Sequence, residues 1–438
     1  MKKFQLSNCG LYFLGALLLA VTPVHGGSDT NRYTGSAWTF CDSKKVLAAA
    51  AVTLEKYPDS DTATVEEKLI RVYQPDGTGE SQDETFTKVL TEKGKRANRT
   101  LALSYMLPYS TVTVVKLELL KPDGTTLPVD VAANSKDTID AGQMAMNISD
   151  PNSRVLQVNL PKVEIGDVVH SITRQTTERP YIPGAFAEEN VFEGSGHIRH
   201  LSYEIHAPAD RPLKCVKLRG EIPGTVTYLA TTNADGMVTH HWEAANVPRM
   251  FEEPAMPPGD MVLQRLYVST LPDWEAVSKW YWDLSKPHLD ATTPEMQKTN
   301  AVLTAGMTNE MDKIKTIFYY VSKNIRYMGL TPEKDRPGFE PHDVCLTFNK
   351  NYGVCRDKAA LLVAMLREAG LPAYPVLINV GCKRDADVPD PDFNHAIVGV
   401  ELEKGNYQLM DPTDENTSDF LPSYDRNQSF LVCRPEVE

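Results

Sequence analysis

The chain has 438 residues, 42% of them hydrophobic and 24% charged, enough apolar material for two or three domains with sizeable cores. Fifty-eight acidic residues outnumber 45 basic ones, for a net charge of −13. No basic cluster offsets that balance, which argues against nucleic acid and an anionic membrane surface as partners.

The N-terminus predicts a secretory signal over residues 1–26. Lys2 and Lys3 form the charged start, residues 11–20 the apolar stretch, and Val24-His25-Gly26 the small residues before a cut. The apolar run is short for a membrane span, and Cys9 precedes it, the wrong place for a lipid anchor. Removing this leader takes two lysines and no acid, leaving 43 basic against 58 acidic residues and a net charge of −15. The expected product is exported, periplasmic or secreted in a bacterium, and not integral to the membrane. Six cysteines remain: Cys41, Cys215, Cys345, Cys355, Cys382 and Cys433. An oxidising compartment permits disulfides, with Cys345–Cys382 one candidate pair.

Residues 27–60 read as a linker with a short helix over 43–54, ended near Tyr57-Pro58. Residues 61–270 read as a β-rich domain. Strand patterns cover 67–73, 112–120, 155–160, 168–174, 200–207, 214–218 and 237–242, with turns at Pro75-Asp76-Gly77 and Pro122-Asp123-Gly124. Many punctuated strands favour a sandwich-like domain. Residues 249–259, rich in Pro and Met, read as a loop or linker. His197 with His200, and His240 with His241, have spacings that diverge on a strand, so no metal centre is expected there. No cofactor is implied.

From residue 271 to 438 the pattern is mixed. Residues 274–284 predict a helix with Trp274, Val277 and Tyr281 on one face. Residues 309–327 predict an amphipathic helix, and Pro332, Pro337, Gly338 and Pro341 mark a loop beyond it. Residues 355–368 lack Gly and Pro, are rich in Ala and Leu, carry Asp357 early and Arg367 late, and are followed by Gly370 and Pro372. They predict a helix buried all round, with Cys355 at its N-terminus. Residues 396–402 and 407–410 predict a hairpin through the turn at 403–406. That hairpin brings His395 and Asp411 to one end, any offset being absorbed by a bulge or by His395 sitting just before its strand.

Singly, a cysteine, a histidine beside a strand and an Asp-Pro turn are commonplace. Together, in the order Cys355, His395, Asp411 and each at an element edge, they supply a thiol nucleophile, its base and the carboxylate that orients the base. Unpaired N–H groups at a helix N-terminus favour the thiolate and an oxyanion alike. His342 is a competing base in a Pro-flanked loop. Tyr327 is a candidate for shaping the oxyanion or substrate pocket.

The segments Asn324-Ile325-Arg326-Tyr327, Gly353 to Ala359, Leu371-Pro372-Ala373-Tyr374-Pro375-Val376, Phe393-Asn394-His395 and Asp411-Pro412-Thr413 resemble the transglutaminase-like (papain-like) core. The preceding region resembles the uncharacterised β-rich domain common upstream of that core in bacterial envelope proteins. The resemblance implies an α+β papain-like domain behind the β-domain, with Cys355 as nucleophile, His395 as base and Asp411 as orienter. Members often carry Asp or Lys where this chain has Val354 and Arg356, and often continue into a further β-domain. The expected activity is acyl transfer on a protein or peptide substrate, as a peptidase, amidase or transglutaminase. The alternative is an inert envelope binding or scaffold protein.

Overall fold

The structure is a computed structural model that describes residues 38–49, 52–331 and 336–435. The expected leader over 1–26 lies outside the described residues. Among the described residues, no helix is long and apolar enough to cross a membrane.

The N-terminal region is β-rich. Its main sheet has eight strands in the spatial order Val226–Thr232, Val238–Val247, His197–Ala207, Thr62–Tyr73, Gly79–Val89, Val168–Thr177, Ser110–Leu120 and Thr126–Pro128. Neighbours are antiparallel except Thr62–Tyr73 with His197–Ala207. The two Pro-Asp-Gly turns form as expected, closing hairpins at Tyr73↔Gly79 and Leu120↔Thr126. Gly77 and Gly124 sit at φ +86°, the left-handed region that a residue with a Cβ adopts at a cost. Two three-stranded sheets cover the large one. One, built from Cys215–Arg219, Arg265–Ser269 and Ala187–Val191, packs Leu266 and Val268 against Tyr203, Ile205 and Trp242. The other, built from Thr100–Met106, Ser153–Asn159 and Ser135–Ile139, packs Val158 against Val89, Leu117 and Leu119.

The expected helix over 43–54 is shorter, Ser43–Ala49. Val52 and Thr53 lie outside helix, in keeping with the lower helix preference of β-branched residues.

The C-terminal region is mixed α/β. A four-stranded antiparallel sheet runs in the order Asn406–Met410, His395–Glu403, Ala373–Ile378, Phe430–Val432. The helix Cys355–Glu368 lies against it, at the centre of the largest apolar cluster. Leu361, Leu362, Val363, Met365 and Leu366 are completely buried, each contributing about 1.5–3 kcal/mol by leaving water. At the helix end, Gly370 takes φ +83° and Leu371 N–H returns to Leu366 O at 3.0 Å, a Schellman closure. The surrounding helices are Trp274–Leu289, Pro294–Leu303, Glu310–Asn324 and Val344–Lys350.

The helix expected over 309–327 ends at Asn324, and Arg326–Tyr327 forms a short parallel pairing with Tyr352–Gly353. The buried Lys358 ammonium enforces that stop, donating to the carbonyls of Ser322 and Ile325. Of the expected loop over 332–341, residues 332–335 lie outside the described residues. Cys345 and Cys382, a candidate pair, are both thiols rather than a disulfide.

The two regions meet through specific contacts. Arg219 reaches Asp385 at 2.7 Å and Asp387 at 2.6 Å. Ile148 pairs with Gly329, with Ser149 N–H to Gly329 O and Gly329 N–H to Asn147 O, both at 2.9 Å.

Candidate active site

Cys355 is the first residue of its helix, so its N–H belongs to the unpaired set at a helix start. Val354, the N-cap, has no side-chain acceptor, and Asp357 substitutes for it. Its Oδ2 accepts Val354 N–H at 3.0 Å, while Oδ1 accepts His342 N–H at 2.9 Å and meets His342 Nδ1 at 3.0 Å. Burial pushes the Asp357 carboxyl up, but Arg356 and His342 outweigh it and hold the group below the usual carboxylate range. His342, the competing base, is therefore anchored to Asp357. Gly353 makes this approach feasible, because a Cβ there would stand 2.6 Å from the Asp357 Cβ.

His395 opens the strand that flanks the helix, and Asp411 directly follows the returning strand. The pairing runs Val398↔Met410, the register shifts between Glu401 and Glu403, and His395 is itself the first strand residue rather than just before it. His395 Nε2 lies 3.1 Å from Asp411 Oδ2, and the Cys355 thiol is close enough to the ring for each to favour the other's charged form. Of the three residues singled out from the sequence, His395 and Asp411 are in direct contact, and Cys355 lies within electrostatic reach of the ring.

Asp411 is completely buried, and donors hold its carboxylate. Thr413 N–H reaches Oδ1 at 2.8 Å, and the Thr413 hydroxyl reaches Oδ2 at 2.9 Å. Burial raises the Asp411 pKa, but His395 and these donors outweigh it. Burial likewise opposes charge on His395, yet the hydrogen bonds and charges of Asp411 and Cys355 raise it to about 11. Burial works against the Cys355 thiolate too. The hydrogen bond and charge of His395, then Arg356 and the Ala396 N–H, hold the thiol below its ordinary value. The directions agree on a thiolate beside an imidazolium.

The Tyr327–Gly353 pairing carries Tyr327 to the same helix tip. Its N–H donates to Glu415 Oε1 at 2.8 Å. Burial, and then the charge of the neighbouring Cys355, keep the Tyr327 hydroxyl un-ionised.

Sequence reading missed Asp425. It ends the three-residue turn Ser423–Asp425, in irregular chain where no periodicity marks a buried position. One atom each of His395, Asp411 and Asp425 lie within 4.8 Å of one another. That spacing alone makes no cation site, because His395 donates Nε2–H to Asp411 and, held protonated, offers no lone pair to a metal.

The histidines of the β-rich region are engaged elsewhere. His200 Nδ1 meets Glu66, His241 Nε2 meets Ser202 at 3.0 Å, and His240 Nδ1 meets the Tyr228 hydroxyl at 2.8 Å. A cavity of about 620 Å³ lies between the large sheet and residues 384–392, lined by Arg71, Tyr109, Arg174, Arg384 and Asp390 and apart from Cys355.

Residues 297–412 match the transglutaminase-like superfamily, and residues 75–251 match a domain of unknown function with a solved structure, DUF3857. No curated protein matches the sequence. A crystal structure of a candidate protease from Parabacteroides distasonis is similar over 85% of this chain and 70% of its own, at 18% identity and a TM-score of 0.67. That likeness is one of fold. A candidate cysteine protease from Cytophaga hutchinsonii aligns over 57% of this chain and 78% of its own, at 14% identity and a TM-score of 0.25. The periplasmic domain of TgpA from Pseudomonas aeruginosa aligns over 55% and 77%, at 14% identity and a TM-score of 0.21. The chain carries a transglutaminase-like core behind a β-rich domain of the DUF3857 type.

Proposed function

We propose that this protein is an exported thiol acyl-transfer enzyme acting on peptide or amide bonds, with Cys355 as nucleophile, His395 as base and acid, and Asp411 as orienter. The single observation that carries the reading is the His395–Asp411 pair, 3.1 Å apart, with the half-buried Cys355 thiol beside the ring. Export rests on the leader read over residues 1–26.

In this mechanism the thiolate attacks the substrate carbonyl carbon, and the charge on oxygen meets the Cys355 N–H at the helix start. The carbon–nitrogen bond then breaks, and the imidazolium of His395 protonates the departing amine. A thioester on Cys355 remains. Neutral His395 next takes a proton from the incoming nucleophile, whose attack expels the Cys355 thiolate and restores the ion pair. Water as that nucleophile makes the protein a peptidase or amidase, and an amine makes it a transglutaminase. Hydrolysis is the favoured outcome, because no amine-binding feature was read from the sequence.

The test is a peptide-library incubation of the chain and its Cys355→Ala variant, reading cleavage and amine incorporation in parallel. The proposal expects activity in at least one channel that Cys355→Ala abolishes. Equal outcomes for both proteins would sink it and leave a binding or scaffold role.

A further inference from the structure

Asp411 and Asp425 place two carboxyl groups against one another behind His395, and the donors around them are shared unequally. Asp411 accepts the N–H and hydroxyl of Thr413 at 2.8 and 2.9 Å, His395 Nε2 at 3.1 Å and the Tyr424 hydroxyl at 3.4 Å. Asp425 is 5% exposed, and neither of its oxygens receives any N–H or hydroxyl hydrogen bond. One oxygen of that carboxyl nonetheless lies within 4.8 Å of an oxygen of Asp411.

Two buried carboxyls in contact do not both ionise, because each charge raises the pKa of the other. Which one keeps the proton follows from the donors. A carboxylate that receives several hydrogen bonds is stabilised as the anion. A carboxyl that receives none lacks that stabilisation and pays the full desolvation cost of a charge. Asp411 is the first kind and Asp425 the second.

We infer that Asp425 is a carboxylic acid whose O–H donates to Asp411, making it a positioning residue that fixes the carboxylate orienting His395. The groups facing it are Asp411, His395 and the neighbouring Tyr424. The Lys358 ammonium interacts with Asp411 as well. Burial and Asp411 push the Asp425 pKa up to about 7, against the pull of His395. Below that pH the acid holds Asp411. Above it, the O–H is lost, a second anion stands beside Asp411, and the hold becomes repulsion.

The consequence for catalysis rests on the thiol-enzyme reading, but the protonation state is tested without any substrate. The full chain, isotope-labelled at the aspartate side-chain carboxyl, is titrated by infrared spectroscopy from about pH 6 to pH 9. The expected result is a carbonyl band of a protonated carboxyl that fades through about pH 7 and is missing from Asp425→Asn. In parallel, iodoacetamide labelling of Cys355 is followed against pH. Asparagine retains an N–H donor toward Asp411, so Asp425→Asn keeps the rate at low pH and loses the inflection near pH 7. Asp425→Ala, which has no donor, slows labelling about tenfold, the size of one hydrogen bond to a charged group. A band or an inflection that survives in Asp425→Asn overturns the inference, as does the absence of any such band from the wild type. Inactivity toward peptides would leave these spectra untouched, so the two proposals fail separately.

Discussion

Tyr327 pairs in parallel with Gly353, two residues before Cys355, which carries its ring to the tip of the buried helix. Its hydroxyl stands close enough to Cys355 for the two to interact, and a donor there lowers the thiol pKa. The donor role gives a measurable expectation. A hydrogen bond to a charged group contributes about 1.5–3 kcal/mol, and 1.36 kcal/mol is one pKa unit. Tyr327→Phe should raise the midpoint of Cys355 alkylation by about one pH unit. An unmoved midpoint would mean that the hydroxyl only fills space.

His395 is the main group holding the Cys355 thiol below its ordinary value against burial. A depressed thiol stays ionised at pH values where a free cysteine is protonated, so alkylation at about pH 6 should far outpace a model thiol. His395→Ala removes the partner and leaves burial unopposed by the imidazolium. The midpoint should move upward and the rate at about pH 6 should fall at least tenfold. Asp411→Asn should move it in the same direction by less, since it acts through the ring. Stopped-flow labelling across pH distinguishes the three proteins.

The legibility of this fold divides along physical lines. The Cys355–Glu368 helix has the bounds expected from the sequence, because its composition, first-turn acid and Gly370 stop all agree. The strand Gly79–Val89 escaped notice because its inward face is polar. Gln82 and Glu84 are completely buried there, satisfied by Arg174 at 3.2 Å and His170 at 2.9 Å. Phe86, also completely buried, is the one apolar residue in line with them, too little to mark a hydrophobic alternation. The helix Val344–Lys350 has seven residues, too few for a period to emerge. At the site, His395 and Asp411 were visible because they border strands. Asp425 was not, since its burial depends on an irregular segment folding back over Asp411.

Asp357 links site geometry to stability. Its pKa lies below the ordinary value, burial being outweighed by Arg356 and His342. A group depressed in the folded state contributes stability above its unfolded pKa, about 3.9, and loses it as pH falls through the folded value. Asp357→Asn should therefore destabilise the chain at neutral pH, and the gap to wild type should close as pH drops below about 4. Urea unfolding at a series of pH values checks this. A gap that widens on acidification would contradict the assignment.

Gly353→Ala attacks the same cap from the other side. The new methyl would lie 2.6 Å from the Asp357 Cβ and 3.2 Å from Thr347 Cγ2, the first closer than real side-chain carbons approach. One of the two groups must move. Thr347 is held in the helix Val344–Lys350, and Asp357 in the first turn of the buried helix, so neither yields without disturbing its element. Overpacking of this kind costs about 1–3 kcal/mol. If the displaced group is Asp357, its bond to Val354 N–H at 3.0 Å is broken already, and adding Asp357→Asn should cost little more. A double-mutant cycle should then show the two losses falling short of their sum by about 1 kcal/mol or more. Cys355 labelling should slow in the single Gly353→Ala variant as well, because the helix tip that carries the sulfur shifts with its cap. Strict additivity with an unchanged labelling rate would place the strain on Thr347 instead.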